Sequence, residues 1–431
     1  MRLGISHRPL GLGLAAVLCA AGVWLYAIRV LIPHQISDAA AHGRPRGNLS
    51  DLYQHWVGAR ELLLNGRDPY SPDVTREIQE GYYGRRLDRP GDPRDQRFAY
   101  PVYDTFCLAP VIHLPFEIVR RVFLGALLAL TVATIPLWLR VLRWSLPLWA
   151  QASIVIFTVG SLPVMQGLKL QQMTLLAVAL VAIGLALLAS DQPVAAGIVL
   201  AWATLKPQLV WLLLLWLMIW TWADWRRRYR WAVSFLFTMA LLCAVSEWYL
   251  PHWIPRFLRA VREYPTYTDA VSNLDKLVPA PWSWVPWILA AGATVHVCWK
   301  NRGFSVETPA FAATSSLVLA VTIIIIPSYA LYNQTMLLPA LLVLVRERHR
   351  IWHRNHMSRL LLSLVAIFLL WQWLASIVLA GLSFVLRVEL VQRAWAVPHW
   401  TVLLLPVGVA ALMLVASYPK TSAALPEPGP S

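Results

Sequence analysis

The sequence predicts an all-α polytopic membrane protein: a bundle of about 11–13 transmembrane helices with a large first outer loop. Three observations predict it. The 431 residues are 58% hydrophobic and only 14% charged, too apolar for a soluble chain of this length. Apolar runs of roughly 20 residues, the length that crosses a bilayer, recur along the whole chain. Basic residues gather in the short segments between alternate runs, as they do in cytoplasmic loops.

The first run, 10–32, follows Arg2 and Arg8. It is long for a signal-peptide core and lacks an obvious small-residue cleavage site, so it reads as an uncleaved span. Further spans are placed at 118–140, 146–163, 173–189, 193–206, 208–224, 231–250, 282–299, 308–326, 334–345, 360–383 and 398–417. The stretch 194–222 is either one kinked helix or two short ones meeting at "LKPQ". Pro207 has no backbone donor, and it disfavours helix at Lys206. Charge decides between the two. With two helices and the N-terminus inside, Arg140, Arg143, "RRRYR" (Arg226 to Arg230), Lys300, Arg302 and the arginines from 346 to 359 all face inward. With one helix, "RRRYR" faces outward and the positive-inside rule fails. Both termini are therefore expected in the cytoplasm, and Lys206 at the outer surface.

This topology gives one large outer loop, 33–117. Within it, Asp51 to Leu64 reads as an amphipathic helix capped by Ser50 or Asn48, with Asp51 in the first turn. "NGRDPY" ends that helix, and a second short helix is expected at 72–83. "RLDRPGDPRDQR" has the charge and Pro/Gly content of a mobile loop. Outer turns are expected at 164–172, 251–281 and 327–333. One transmembrane domain is expected over 1–420, followed by a disordered tail, 421–431.

The net charge of +15 fits cytoplasmic loops and anionic lipid surfaces. No basic stripe interleaved with aromatics points to nucleic acid. Cys19, Cys107, Cys243 and Cys298 show neither metal spacing nor a disulfide framework.

The chemistry gathers on the outer side. Asp51, His55, Tyr100, Gln166, Lys169, Gln171, Gln172, Lys206, Gln208, Tyr329, Tyr332, Asn333 and Gln334 come from separate parts of the chain yet fall at one membrane face. Polar residues at span ends often line a cavity. A carboxylate can take a hydroxyl proton, a cation can hold phosphate, and amides can bond sugar hydroxyls. Each has a plainer reading. Asp51 complements a helix N-terminus, Lys206 snorkels to the headgroups, and Asp68 belongs to a turn. Asp51 and His55 share a helix face at i and i+4, but two ligands make a poor metal site, so no metal is assigned.

Several stretches resemble the polyprenol-phosphate-mannose-dependent glycosyltransferases of the GT-C superfamily, glycosyltransferase family 87. They are "DLYQHWVGARELLLNGRDPYS", "FAYPVYDTFCLAPVIHLP", "LQQMTLLAVALVAIGLALL", "AAGIVLAWATLKPQL" and "IIPSYALYNQTMLLP". The resemblance runs in order over about 48–340. It implies a GT-C fold in which an acid of the first outer loop acts as base on a lipid-phosphate sugar donor, with inversion. Asp51 matches that loop acid, Lys206 the lysine of Lys-Pro, and Gln172 the glutamine of a Gly-Gln turn. Two positions depart from the pattern: Gln171 stands where Gly is usual, and Asn333 where many relatives carry an acid or histidine.

The expected function is thus an integral membrane glycosyltransferase. It would move a hexosyl, mannosyl group from a polyprenyl-phosphate sugar to a lipid or glycan acceptor on the outer face of the plasma membrane. Asp51 would be catalytic and Lys206 would hold the donor phosphate. His55, Tyr100, Gln172, Gln208, Tyr332 and Asn333 would bind substrate. No cofactor is expected, and the partners are the donor, the acceptor and membrane lipids, not nucleic acid. The alternatives are a lipid-linked sugar flippase or transporter, and a polysaccharide polymerase or ligase.

Overall fold

The computed structural model describes residues 8–43, 50–87, 96–268, 271–278, 281–282, 284–327 and 330–417. Expectations for Arg2, Asn48, Tyr329, the loop 88–95 and the tail 421–431 lie outside the described residues. Among the described residues every regular element is helical. The chain is an all-α polytopic membrane protein.

The first helix, α1, runs over Leu10–Ala41, nine residues beyond its expected end. Pro33 has no N–H to offer the carbonyl one turn back, and the helix widens into a π turn at Ala27–Leu31 just before it. The chain therefore carries on as helix through a proline that reads as a stop. Two helices of the loop follow, α2 (Leu52–Asn65) and α3 (Pro72–Tyr83). Ser71 caps α3 by accepting the Val74 N–H. Gly66 and Gly84, both at positive φ, end α2 and α3.

Then come α4 (Phe116–Val141), α5 (Leu148–Val159), α6 (Leu162–Lys169), α7 (Met173–Ala189), α8 (Pro193–Ala203), α9 (Pro207–Ala223) and α10 (Trp225–Tyr249). Next are α11 (Trp253–Tyr267), α12 (Trp284–Asn301), α13 (Pro309–Ile325), α14 (Leu338–Arg346), α15 (His356–Val385) and α16 (Leu404–Ser417). Among the described residues, five helical stretches are long and apolar enough to cross a membrane, or six if α5 and α6 form one broken span bent by 60°. Five shorter apolar helical stretches of 10–17 residues, including α7, α8, α9 and α13, pack among them.

Two further expectations change. The span at 146–163 breaks at "GSLP", where Ser161 is extended and Pro163, which has no N–H to donate, sits in the first turn of a new helix, and the turn at 164–172 is mostly α6. The turn at 251–281 contains the 15-residue helix α11. By contrast, α8 and α9 are two helices, with Lys206 between them.

α7 packs between α4 and α8, and α8 lies against α10. The last pair approaches closely at Gly197, where a Cβ would overlap Ser234 Oγ and the Trp231 carbonyl oxygen. Small residues permit such contact where lipid supplies no hydrophobic drive. The bundle has two polar ends. One gathers Leu142, Trp220, Arg228, Arg302, Phe304 and Arg346 through hydrogen bonds. The other carries the loop helices and the turns at 170–172 and 204–206.

Candidate active site

The site is fixed by how α2 begins. The Ser50 hydroxyl donates to the Leu170 carbonyl at 2.9 Å, and the Asp51 N–H donates to the same carbonyl at 3.0 Å. Ser50 Oγ also accepts the Leu52 N–H. These bonds clamp the start of α2 onto the turn before α7, which places Asp51 beside Gln172. The Asp51 side chain makes no capping hydrogen bond. Its carboxylate instead accepts a hydrogen bond from Gln172 Nε2.

Gln172 faces two charges. Its amide nitrogen donates to Asp51, and its Oε1 accepts from Lys206 Nζ at 3.4 Å. Among the described residues, neither Asp51 nor Lys206 has an oppositely charged side chain within 4.0 Å. Lys206 is 6% exposed and therefore does not reach out to headgroups. Its ammonium lies 5.0 Å from the centre of the Tyr100 ring. Burial raises the pKa of Asp51 above the usual carboxylate value, and Lys206 and Gln172 offset part of that rise.

Behind Tyr100 lies a second layer. The His55 ring stacks on Tyr100 at 3.8 Å, and His55 Nδ1 is 2.6 Å from Asp104 Oδ2. Both members of this pair are buried, and Asp104 Oδ1 has no hydrogen-bond partner among the described residues. Tyr100 Oη accepts from Gln54 at 2.8 Å, and the Tyr100 carbonyl accepts from Tyr70 at 2.5 Å. The ring that faces Lys206 is thus held from three sides.

Asp51, Gln172, Lys206 and Tyr100 line one cavity of about 400 Å³, with Gln208, Tyr332 and Asn333. Asn333 Oδ1 accepts from Thr174 at the start of α7. Phe257, Leu258, Val261 and Tyr264 of α11 form its apolar wall. Of the eight residues assigned from sequence, seven line this cavity. His55 does not: it is turned away behind Tyr100 toward Asp104, so its imidazole supports the wall rather than facing the interior. Several other candidates point elsewhere. Lys169 donates to Gln35, Gln171 folds back onto the Leu168 and Lys169 carbonyls, and Gln334 donates to the Val402 carbonyl. Gln171 has φ 46°, a conformation that favours glycine. Asp68 is a turn residue, accepting the Tyr70 N–H and pairing with Arg256 at 2.5 Å.

Sequence reasoning missed Gln54, Gln96, Arg97 and the α11 wall, and it offered Asp104 only as a fallback acid should Asp51 fail. A signal for Asp104 was present: it is the lone acid in the apolar stretch "FAYPVYDTFCLAPVI". Among the described residues, no three His, Cys, Asp or Glu side chains cluster as metal ligands.

The profile of glycosyltransferase family 87 matches residues 98–328. No curated protein and no solved structure matches the chain. The matched stretch contains Tyr100, Asp104, Gln172, Lys206 and Gln208, and Asp51 is clamped to it from just upstream. The match covers more than half of the sequence, and the chain belongs to glycosyltransferase family 87 as a membrane glycosyltransferase.

Proposed function

We propose that the chain transfers a hexosyl, mannosyl group from a polyprenyl-phosphate sugar to a lipid or glycan acceptor, with inversion, at the outer face of the plasma membrane. The observation that carries this reading is the single Gln172 side chain that touches Asp51 and Lys206 in one cavity. The base must reach the acceptor hydroxyl and the cation the donor phosphate within one cavity, yet a direct ion pair would spend each on the other. The amide between them keeps both available.

In the proposed step, Asp51 takes the proton of the acceptor hydroxyl. The acceptor oxygen attacks the anomeric carbon, and the bond from that carbon to the phosphate oxygen breaks. The electron pair leaves on the lipid phosphate, where Lys206 offsets the added charge. The leaving group is already a phosphate, so the step requires no cofactor. The apolar side chains of α11 suit the first isoprene units of the donor. Gln208, Tyr332 and Asn333 supply polar partners for sugar hydroxyls. The arginine-rich end of the bundle is assigned to the cytoplasm by the positive-inside rule, which puts the cavity outside.

The test is to incubate purified protein with labelled polyprenyl-phosphate mannose and membrane lipid extract. Labelled product of one added sugar is expected. Movement of donor across vesicles without product would instead mark a flippase, and long products a polymerase or ligase.

A further inference from the structure

The turn Val102–Cys107 touches both halves of the Asp51 cavity from behind. The Tyr103 hydroxyl donates to the Thr204 carbonyl at 3.1 Å and lies 3.0 Å from the Thr204 hydroxyl. Thr204 follows α8 and stands two residues before Lys206, so this contact fixes the turn that carries the cation. The next residue, Asp104, reaches the other half. Its Oδ2 is 2.6 Å from Nδ1 of His55, which lies one turn along α2 from Asp51. Two adjacent side chains of one short turn therefore hold the carrier of the cation and the carrier of the base.

Asp104 is buried, and its Oδ1 has no hydrogen-bond partner among the described residues. A buried carboxylate in that state is costly unless positive charge offsets it. Lys206 is the matching case, a buried cation whose contacts are the Gln172 amide and the Tyr100 ring. Both sit against the same ring. His55, which Asp104 holds, stacks on Tyr100 at 3.8 Å, and the Lys206 ammonium lies 5.0 Å from its centre. Burial lowers the pKa of Lys206, and Asp104 opposes this more than Asp51 does. The other titratable groups lining the cavity are Tyr100, Tyr264, Tyr332 and Arg97. Burial holds Tyr100 and Tyr332 in the neutral form, so they bring no charge to Lys206.

We infer that Asp104 is a positioning residue for the cation: through His55 it seats the Tyr100 ring, and as a carboxylate behind that ring it keeps Lys206 an ammonium ion, ready for phosphate. The phosphate in this statement rests on the function proposed above. The counter-charge role does not.

The test is competitive acetylation of the purified full-length protein with acetic anhydride across pH. It is read at Lys206 by peptide mass spectrometry, with exposed Lys276 as the reference. Only the free amine reacts, and no substrate is needed. Asp104→Asn keeps the size of the side chain and an oxygen for His55 but removes the charge. Lys206 should then label roughly ten-fold faster than in wild type at neutral pH, and equally fast at a pH that frees every amine. Asp68→Asn removes a carboxylate of the same loop that is spent on Arg256, and should match wild type. Tyr100→Phe and Tyr100→Leu decide the matter if Asp104→Asn does not fold: Phe should keep the wild-type profile, and Leu should speed labelling at neutral pH alone. Equal labelling at neutral pH in Asp104→Asn and wild type overturns the inference. So does faster labelling at every pH, which reports a loosened cavity, and so does an equal gain in Asp68→Asn. Binding of polyprenyl phosphate, titrated alongside, separates the two readings. With rising pH it should be lost earlier in Asp104→Asn than in wild type. No binding to wild type, with the acetylation difference intact, overturns the phosphate role of Lys206 and upholds Asp104 as its counter-charge.

Discussion

The two ends of the bundle use charge in opposite ways. At the arginine-rich end, side chains complete the backbone. Arg228 reaches four carbonyls at 2.6 to 3.2 Å, and Arg346 and Arg354 bond the carbonyls of Leu142 and Val415. Helix C-termini leave carbonyls without intrahelical partners, and these guanidinium groups satisfy several of them. At the other end, Lys206 meets an amide and an aromatic face instead. Asp51 accepts from Gln172 while its helix is capped by Ser50. At the first end these guanidinium groups are spent on backbone carbonyls. The second holds a buried cation and a half-buried carboxylate beside open space, an arrangement that costs desolvation and gains its return when a charged substrate enters. Asp68 shows the same contrast within the loop, because its two oxygens are spent on a turn and on Arg256.

The comparison is broken most sharply at Asp51. Asp51→Asn keeps the side-chain oxygen that accepts from Gln172, and the cap at Ser50 is untouched. Melting should therefore be nearly unchanged. Turnover should fall by about 10²–10⁴-fold, the usual contribution of a general base. Near-normal transfer by a well-folded Asp51→Asn protein would return that end to the same structural role as the other.

Lys206 comes next. Lys206→Ala should raise the donor KM by about 10- to 100-fold, the loss of a charge-assisted phosphate contact of about 1.5–3 kcal/mol. Lys206→Arg should restore part of it. Donor KM within error of wild type for both would remove the phosphate assignment.

The pH profile sharpens the same contrast with a smaller effect. A base must be ionised, and burial raises the pKa of Asp51. Activity should therefore fall, on acidification, at a higher pH than the ordinary aspartate value of about 3.9. The sign for stability is opposite to that of an ion-paired carboxylate. Native Asp51 holds its proton more tightly than the unfolded chain does. Its contribution is greatest below the ordinary aspartate pKa and is lost as pH rises through the raised one. An acid limb at or below the ordinary value would contradict the buried setting of Asp51.

The smallest effect on activity is expected at the other end. Arg228→Ala should lower stability by about 1–3 kcal/mol through lost charged hydrogen bonds. It should leave donor KM unchanged. A changed KM with unchanged melting would mean the two ends are not separate.

Much of this was legible in the sequence, and the reasons for the rest are physical. The apolar runs gave α7 at 173–189, and the arginine bias separated α8 from α9 at Lys206. α11 was read as a turn, although Ile254, Phe257, Leu258 and Val261 fall at helical spacing opposite Arg256, Arg259 and Arg262. Its prolines, Pro255 and Pro265, obscured that pattern. The π turn of α1 depends on a helix continuing past Pro33, which no local propensity signals. At the site, residue type and membrane side were enough to collect Asp51, Gln172 and Lys206. They could not show that Gln172 bridges the two charges, because that contact follows from Ser50 and Asp51 both bonding the Leu170 carbonyl, 120 residues from Ser50. The burial of Asp104 behind His55 was hidden for the same reason.

The most direct test of Asp51 as a base, with Lys206 on the leaving phosphate, is the anomeric configuration of the first product. It is read by NMR after single-turnover transfer from a polyprenyl-phosphate sugar of known configuration. A base in the cavity activates the acceptor for one displacement, so the product should carry the opposite configuration to the donor. A product that retains the donor's configuration would mean two displacements, with a side chain as nucleophile, and would contradict the roles assigned to Asp51 and Lys206.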